Sequence, residues 1–168
     1  MPPVVNYTKE EIIKAALKVV REEGGAALTA RGIARAMGGS TQPIYRVFGT
    51  TKTLEMEALR VIRQMAFDAM LSGEAEHGNF LSIGLEFLRF ARREPGLFRY
   101  AFIESSRTMD LSLNEKPFDG VLEKMRRDEV LQGMDDLTLK NLFRDMWIYT
   151  QGLASFGLVN AEDWDEEL

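Results

Sequence analysis

The 168-residue chain contains no cysteine and a single histidine. The first absence excludes disulfides, thiolate metal sites and thiol nucleophiles, and it fits the cytoplasm, which is the expected location. The second leaves little for acid–base or metal chemistry. His77 lies in Glu74-Ala75-Glu76-His77-Gly78, and without a second histidine a metal site there is a poor prospect. There is no nucleophile elbow, no phosphate-binding glycine loop and no histidine on a helix beside a carboxylate. Glu104-Ser105-Ser106-Arg107 reads as solvated loop. An enzyme is not expected, nor is a cofactor. No apolar run approaches the roughly 18 residues of a membrane span. Pro2-Pro3-Val4-Val5 lacks the basic and apolar regions of a signal peptide.

What is present is a globular composition, 45% hydrophobic and 28% charged, in a chain long enough for one or two domains. The net charge of −5 is unevenly spread. Residues 1–60 carry nine Lys/Arg against six Asp/Glu, and residues 61–168 carry twelve against twenty. A mildly basic head on an acidic body suits an N-terminal part that meets DNA and a remainder that avoids it. The excess is small, so nonspecific affinity for phosphate is expected to be weak in a monomer.

The head is built around residues 29–48. Thr29 suits the N-cap of a first short helix, with Ile33, Ala34 and Met37 on its apolar face. Gly38-Gly39 breaks that helix. Ser40 is expected to cap a second, with Pro43 in its first turn and Ile44, Val47 and Phe48 buried. A small residue for a close crossing, a glycine turn and an apolar anchor make the spacing of a helix-turn-helix. Thr41, Gln42, Tyr45 and Arg46 are then left facing outward, as side chains suited to base edges and phosphates. An ordinary helical hairpin with a polar outer face is the competing reading.

Around this hairpin the periodicity predicts more helix. Thr8 and Glu11 have capping-box spacing at the start of a helix over 8–23, with Ile12, Ile13, Ala16, Leu17 and Val20 inward and Gly24-Gly25 at its end. Thr50 or Thr51 caps a long helix over 51–71, whose first turn and Lys52 are suited to hold a phosphate. Helices follow at 79–93, in a short segment from Pro95, at 117–131 and at 135–159. The last is apolar on two faces. Ile148, Gly152, Ser155, Phe156 and Val159 mark the face left for a partner, which predicts a homodimer with its two-fold axis near this helix. Residues Ala161–Leu168 are mostly acidic and too few to cover it.

Thr29-x-x-x-Ile33-Ala34, Gly38-x-Ser40, Tyr45-x-x-Phe48 and Leu54 resemble the head of TetR-family transcriptional regulators, specifically so over residues 8–60. The resemblance implies an all-α protein. A three-helix DNA-binding head (residues 1–50) precedes a larger helical effector-binding and dimerisation domain (residues 51–168). It implies a homodimeric regulator, usually a repressor, bound to a palindromic operator in double-stranded DNA and released by a small molecule. Carried over by position, Thr29 and Arg31 contact backbone, and Thr41, Gln42 and Pro43, after the capping Ser40, face bases. Tyr45 and Lys52 hold phosphates, and Arg46 reaches either. Two positions depart from the family pattern. Gly39 stands where a branched side chain is common, and Thr51 stands where a lysine is, with Lys52 one place on. The chain also ends early for the family.

An effector pocket in the larger domain is expected from Phe67, Phe87, Phe98, Met125, Phe143 and Trp147. Its ligand would be a hydrophobic or aromatic small molecule, although residues of these types at helical spacing also read as plain core. The alternative function is a helical dimer with weakened DNA binding that acts as a ligand- or protein-binding module.

Overall fold

The computed structural model describes residues 7–73, 78–105 and 116–159. Every regular element among them is helical. Residues 74–77 (with Glu74, Glu76 and His77), residues 106–115, the Val159 side chain and residues 160–168 lie outside the described set. The chain divides into two compact units, Met1–Arg63 with Gly96–Glu104, and Gln64–Pro95 with Ser105–Leu168.

The first unit opens with α1 (Lys9–Glu23). Thr8 accepts the Glu11 backbone N–H at 3.2 Å, and the Glu11 carboxylate accepts the Thr8 N–H at 2.8 Å, a reciprocal capping box. Ile12, Ile13, Ala16, Leu17, Val19 and Val20 form its buried stripe. Gly24, at φ +83°, ends it. A 3-10 turn over Gly25–Ala27 leads into α2 (Ala30–Ala36) and then α3 (Gln42–Phe48). Gly32 is required in α2 because a Cβ there would stand 2.3 Å from the Ala27 carbonyl oxygen. The second stretch of this unit starts near α6 (Pro95–Phe98) and continues as a π-helical turn over Arg99–Glu104. The short helix expected from Pro95 is therefore present, with its second part wound as a π-helix. Gly96 lies so close to the end of α1 that a Cβ would meet the Val20 and Arg21 carbonyl oxygens at 2.8 and 2.9 Å.

The helix α4 (Thr51–Ser72) begins in the first unit, where Thr50 caps it by accepting the Thr53 N–H at 3.1 Å. Leu54, Ala58, Ile62, Ala66 and Met70 form one fully buried line at four-residue spacing. Its residues from Gln64 onward belong to the second unit.

In the second unit α5 (Asn79–Arg93) packs mainly on α8 (Asp136–Val159), and both pack on α7 (Lys116–Arg126). Gly84 permits the α5–α8 approach, since a Cβ there would lie 3.2 Å from Thr150 Cγ2. The single helix expected over 117–131 is interrupted. It stops at Arg126, and a 3-10 turn follows at Glu129–Leu131. The cause is Asp128, whose carboxylate accepts the Val130 N–H at 3.1 Å and, from across the unit, the Phe80 N–H at 2.8 Å. It thereby caps both the turn and the start of α5.

Candidate nucleic-acid interface

The candidate interface is the outer side of α2 and α3. At the end of α2 the backbone forms a complete Schellman motif. Gly38 takes the left-handed conformation (φ +68°). Its N–H donates to the Arg35 carbonyl at 3.1 Å, and the Gly39 N–H donates to the Ala34 carbonyl at 2.9 Å. The turn is also held from α1, because the Tyr7 hydroxyl donates to the Met37 carbonyl at 2.9 Å. The sequence reading passed over Tyr7. Its only local signal is an aromatic residue just before the capping Thr8.

Ile44 is fully buried and Phe48 nearly so, which fixes the inner side of α3. Val47 does not join them. At 37% exposure it lies toward the outer side, a correction to the buried face expected for this helix. A seven-residue helix has two turns, and the positions at 44 and 48 exhaust its inward stripe. Gln42 and Arg46 are exposed, as is Tyr45 at 48%, while Thr41 and Pro43 are half-buried. Ser40 does not cap α3. The N-cap position falls on Thr41, whose backbone is already helical (φ −77°, ψ −12°) and whose side chain makes no capping hydrogen bond. Ser40 is exposed one residue earlier, and Pro43 stands in the first turn as expected. Gly49 (φ +72°) closes α3 with its N–H on the Tyr45 carbonyl at 2.9 Å.

Thr29 caps α2, its hydroxyl oxygen accepting the Gly32 N–H at 3.0 Å. That leaves the hydroxyl proton as the group with which Thr29 can reach a phosphate. Arg31 is exposed in the first turn of α2, and Lys52 is exposed in the first turn of α4. Three cations of the same unit are occupied elsewhere, Arg35 by Glu23 and both Lys9 and Arg60 by Glu57. Glu57 accepts from Lys9 at 2.8 Å and from Arg60 through Nε and Nη2, each at 3.1 Å. Arg60 first, and Lys9 second, hold its carboxyl down at about 2. Lys14, Lys18, Arg31 and Lys52 remain exposed.

The six residues expected to line an effector pocket are all buried. Phe67 and Trp147 stack at 5.9 Å between ring centroids, Phe87 lies 4.5 Å from Trp147, and Phe143 lies 5.9 Å from it. Phe118, not among these six, joins them edge-on to Phe67 at 5.0 Å and to Phe143 at 5.7 Å. Met125 is buried on α7 of the same unit. Phe98 belongs to the first unit, where it packs on Phe102 at 5.1 Å. On α8, Ile148 is 55% and Phe156 68% exposed. Gly152 is exposed with open space around it, and Ser155 is half-buried.

These features define an all-α chain with a helix-turn-helix in its first unit and a helical second unit. The same fold occurs in solved structures. One is a possible TetR family transcriptional regulator from Streptomyces coelicolor A3(2), with a TM-score of 0.63 and 18% identity over 88% of this chain and 69% of that one. Another is BioQ, with a TM-score of 0.61 and 18% identity over 96% of this chain and 88% of that one. At this identity the likeness is one of fold. No family profile and no curated protein matches the sequence. No described helix is long and apolar enough to cross a membrane.

Proposed function

We propose that this chain is a ligand-responsive, DNA-binding transcriptional regulator that works as a homodimer on a palindromic operator, with repression as its default action. The observation that carries the reading is the outer side of α3, where Gln42, Tyr45 and Arg46 are exposed above a helix anchored by Ile44 and Phe48. Gln42, with Thr41 and Pro43, reads base edges in the major groove. Tyr45 and Lys52 hold phosphates, as do Thr29 and Arg31 at the start of α2. Residues 1–50 are the DNA-binding part, and residues 51–168 are the effector-binding and dimerisation part. The exposed apolar face of α8 around Ile148, Gly152 and Phe156 supports association of two copies. A dimer on a palindromic operator requires its two recognition helices to enter successive major grooves, roughly 34–36 Å apart or a little more. A hydrophobic or aromatic effector enters the second unit by parting the rings around Trp147. The chain binds and carries out no reaction of its own.

The test is an anisotropy titration against the promoter DNA beside the protein's own gene, at two salt concentrations, with Tyr45→Ala as control. Nanomolar binding that weakens with salt and with Tyr45→Ala is expected. Weak binding indifferent to Tyr45 would favour the other reading, a helical dimer acting through a ligand or protein partner.

A further inference from the structure

We propose that Tyr7 is the positioning residue of the recognition helix, standing in for the side chain that Gly39 lacks. The consequence for affinity rests on the DNA-binding reading above, whereas the contact itself does not. A Schellman motif is commonly backed by an apolar contact from its last residue to the preceding helix. Here that residue is Gly39, which has nothing to offer. The Tyr7 ring takes the place. A Cβ built on Gly39 would lie 3.4 Å from the Tyr7 hydroxyl oxygen, 3.6 Å from Cε2 and 3.9 Å from Cζ, all ordinary contact distances. The same hydroxyl satisfies the Met37 carbonyl, one of the last-turn acceptors that a helix end leaves without an internal partner.

The anchor is firm because Tyr7 immediately precedes Thr8, whose reciprocal bonds with Glu11 fix the start of α1. One ring thus ties the start of α1 to the turn thirty residues on, five residues before α3 begins. Gly38 and Gly39 bring no side chain of their own to limit the motion of the turn once the ring is gone. The outward residues of α3 then lose their common orientation, and contacts that need sub-ångström placement fail together.

The test measures amide hydrogen exchange in the full chain, well below its melting temperature, for wild type, Tyr7→Ala, Tyr7→Phe and Tyr7→Ala/Gly39→Val. Gly39 is outside the left-handed region, so a side chain is compatible with its backbone. Tyr7→Ala should speed exchange at the Gly38 and Gly39 amides about tenfold while leaving α5 and α8 unchanged. Tyr7→Phe, which keeps the ring and loses one hydrogen bond, should fall between. The added valine should restore protection. In parallel, each variant is titrated with the promoter duplex and a scrambled one. Tyr7→Ala should cut the ratio of the two affinities about tenfold, with recovery by valine. Exchange in Tyr7→Ala within about twofold of wild type at both glycines, or raised equally through both units, would overturn the restraint. A loosened turn with an undiminished affinity ratio would overturn the positioning role. A protected turn in a wild-type protein with no preference for the promoter would instead overturn the DNA-binding reading and leave the restraint standing.

Discussion

The Lys124 ammonium donates to the Gly73 carbonyl at 2.8 Å from a site almost closed to solvent. It also donates to the carbonyls of Met70 at 3.1 Å and Leu71 at 3.3 Å. These are acceptors at the end of α4, where a helix leaves carbonyls unserved and where its dipole favours a cation. Burial lowers the affinity of Lys124 for its proton, and the charge of Glu86 opposes that effect.

Replacing this lysine should therefore cost more than an ordinary substitution. Lys124→Met fills similar volume but withdraws the donor from three carbonyls at the end of α4. A loss of about 3 kcal/mol is expected in urea denaturation, in the range for hydrogen bonds to a charged group. A loss below about 0.5 kcal/mol would mean that water serves the same carbonyls equally well.

Asp128 links two elements through one carboxylate. Asp128→Ala removes the acceptor for the Phe80 and Val130 N–H groups and should destabilise the chain by about 1–2 kcal/mol. Asp128→Asn keeps an oxygen for one of them and should lose less. Thermal denaturation of the two variants, compared with wild type, checks the order.

Glu57 makes part of the stability depend on acid. Its carboxyl is pulled from 4.5 to about 2 in the folded chain, chiefly by Arg60 and then by Lys9. A group whose folded value is depressed contributes stability that is complete above its unfolded value and is lost as pH falls through the folded one. The difference in stability between wild type and Glu57→Gln should thus be constant above about pH 5 and shrink between about pH 4.5 and 2. Because both cations are largely exposed, it should stay under about 1 kcal/mol. Urea midpoints across that range test it, and a difference independent of pH would place the stabilisation elsewhere.

The parts of this fold legible in the sequence are those decided locally. The Thr8–Glu11 cap, the buried stripe of α1, the limits of α5 and the Gly38 turn all follow from residues within a few places of one another. What was not legible depends on distant partners. Nothing near Asp128 announces the Phe80 N–H that it accepts, so residues 117–131 read as one helix. Nothing near Gly96 reveals that it lies against the end of α1. In the candidate interface the exposure of Gln42, Tyr45 and Arg46 followed from the spacing of Ile44 and Phe48. The position of Val47 and the shift of the N-cap from Ser40 to Thr41 were settled by how a seven-residue helix seats on its core. Tyr7 was missed because its contacts lie thirty residues away.

On DNA, two substitutions should behave differently. Gln42→Ala removes an exposed amide at the start of α3 and should lower affinity for the operator by about 1–3 kcal/mol while leaving binding to scrambled duplex unchanged. Lys52→Ala removes the exposed cation proposed to hold a phosphate and should weaken both duplexes alike, with a salt dependence reduced by about one unit of slope. Anisotropy titrations at several salt concentrations separate the two. If both variants lose affinity in the same uniform way, α3 holds the backbone without reading sequence.

The exposed side of α8 sets the last expectation. Ile148 and Phe156 stand two helical turns apart on one face, with Gly152 between them leaving room for close approach. Apolar side chains of this size gain by leaving water, and in the proposed homodimer a second copy of the same face would supply the cover with two-fold symmetry. Phe156→Glu would place an unpaired charge in that contact on each copy. Sedimentation should find a dimer for wild type and a monomer for the variant, with helical content unchanged by circular dichroism. Operator affinity should fall steeply with the loss of the second head, because the two half-sites are then bound independently. If the variant remains dimeric, the contact lies on another face, and Leu137, also exposed on α8, is the next position to substitute.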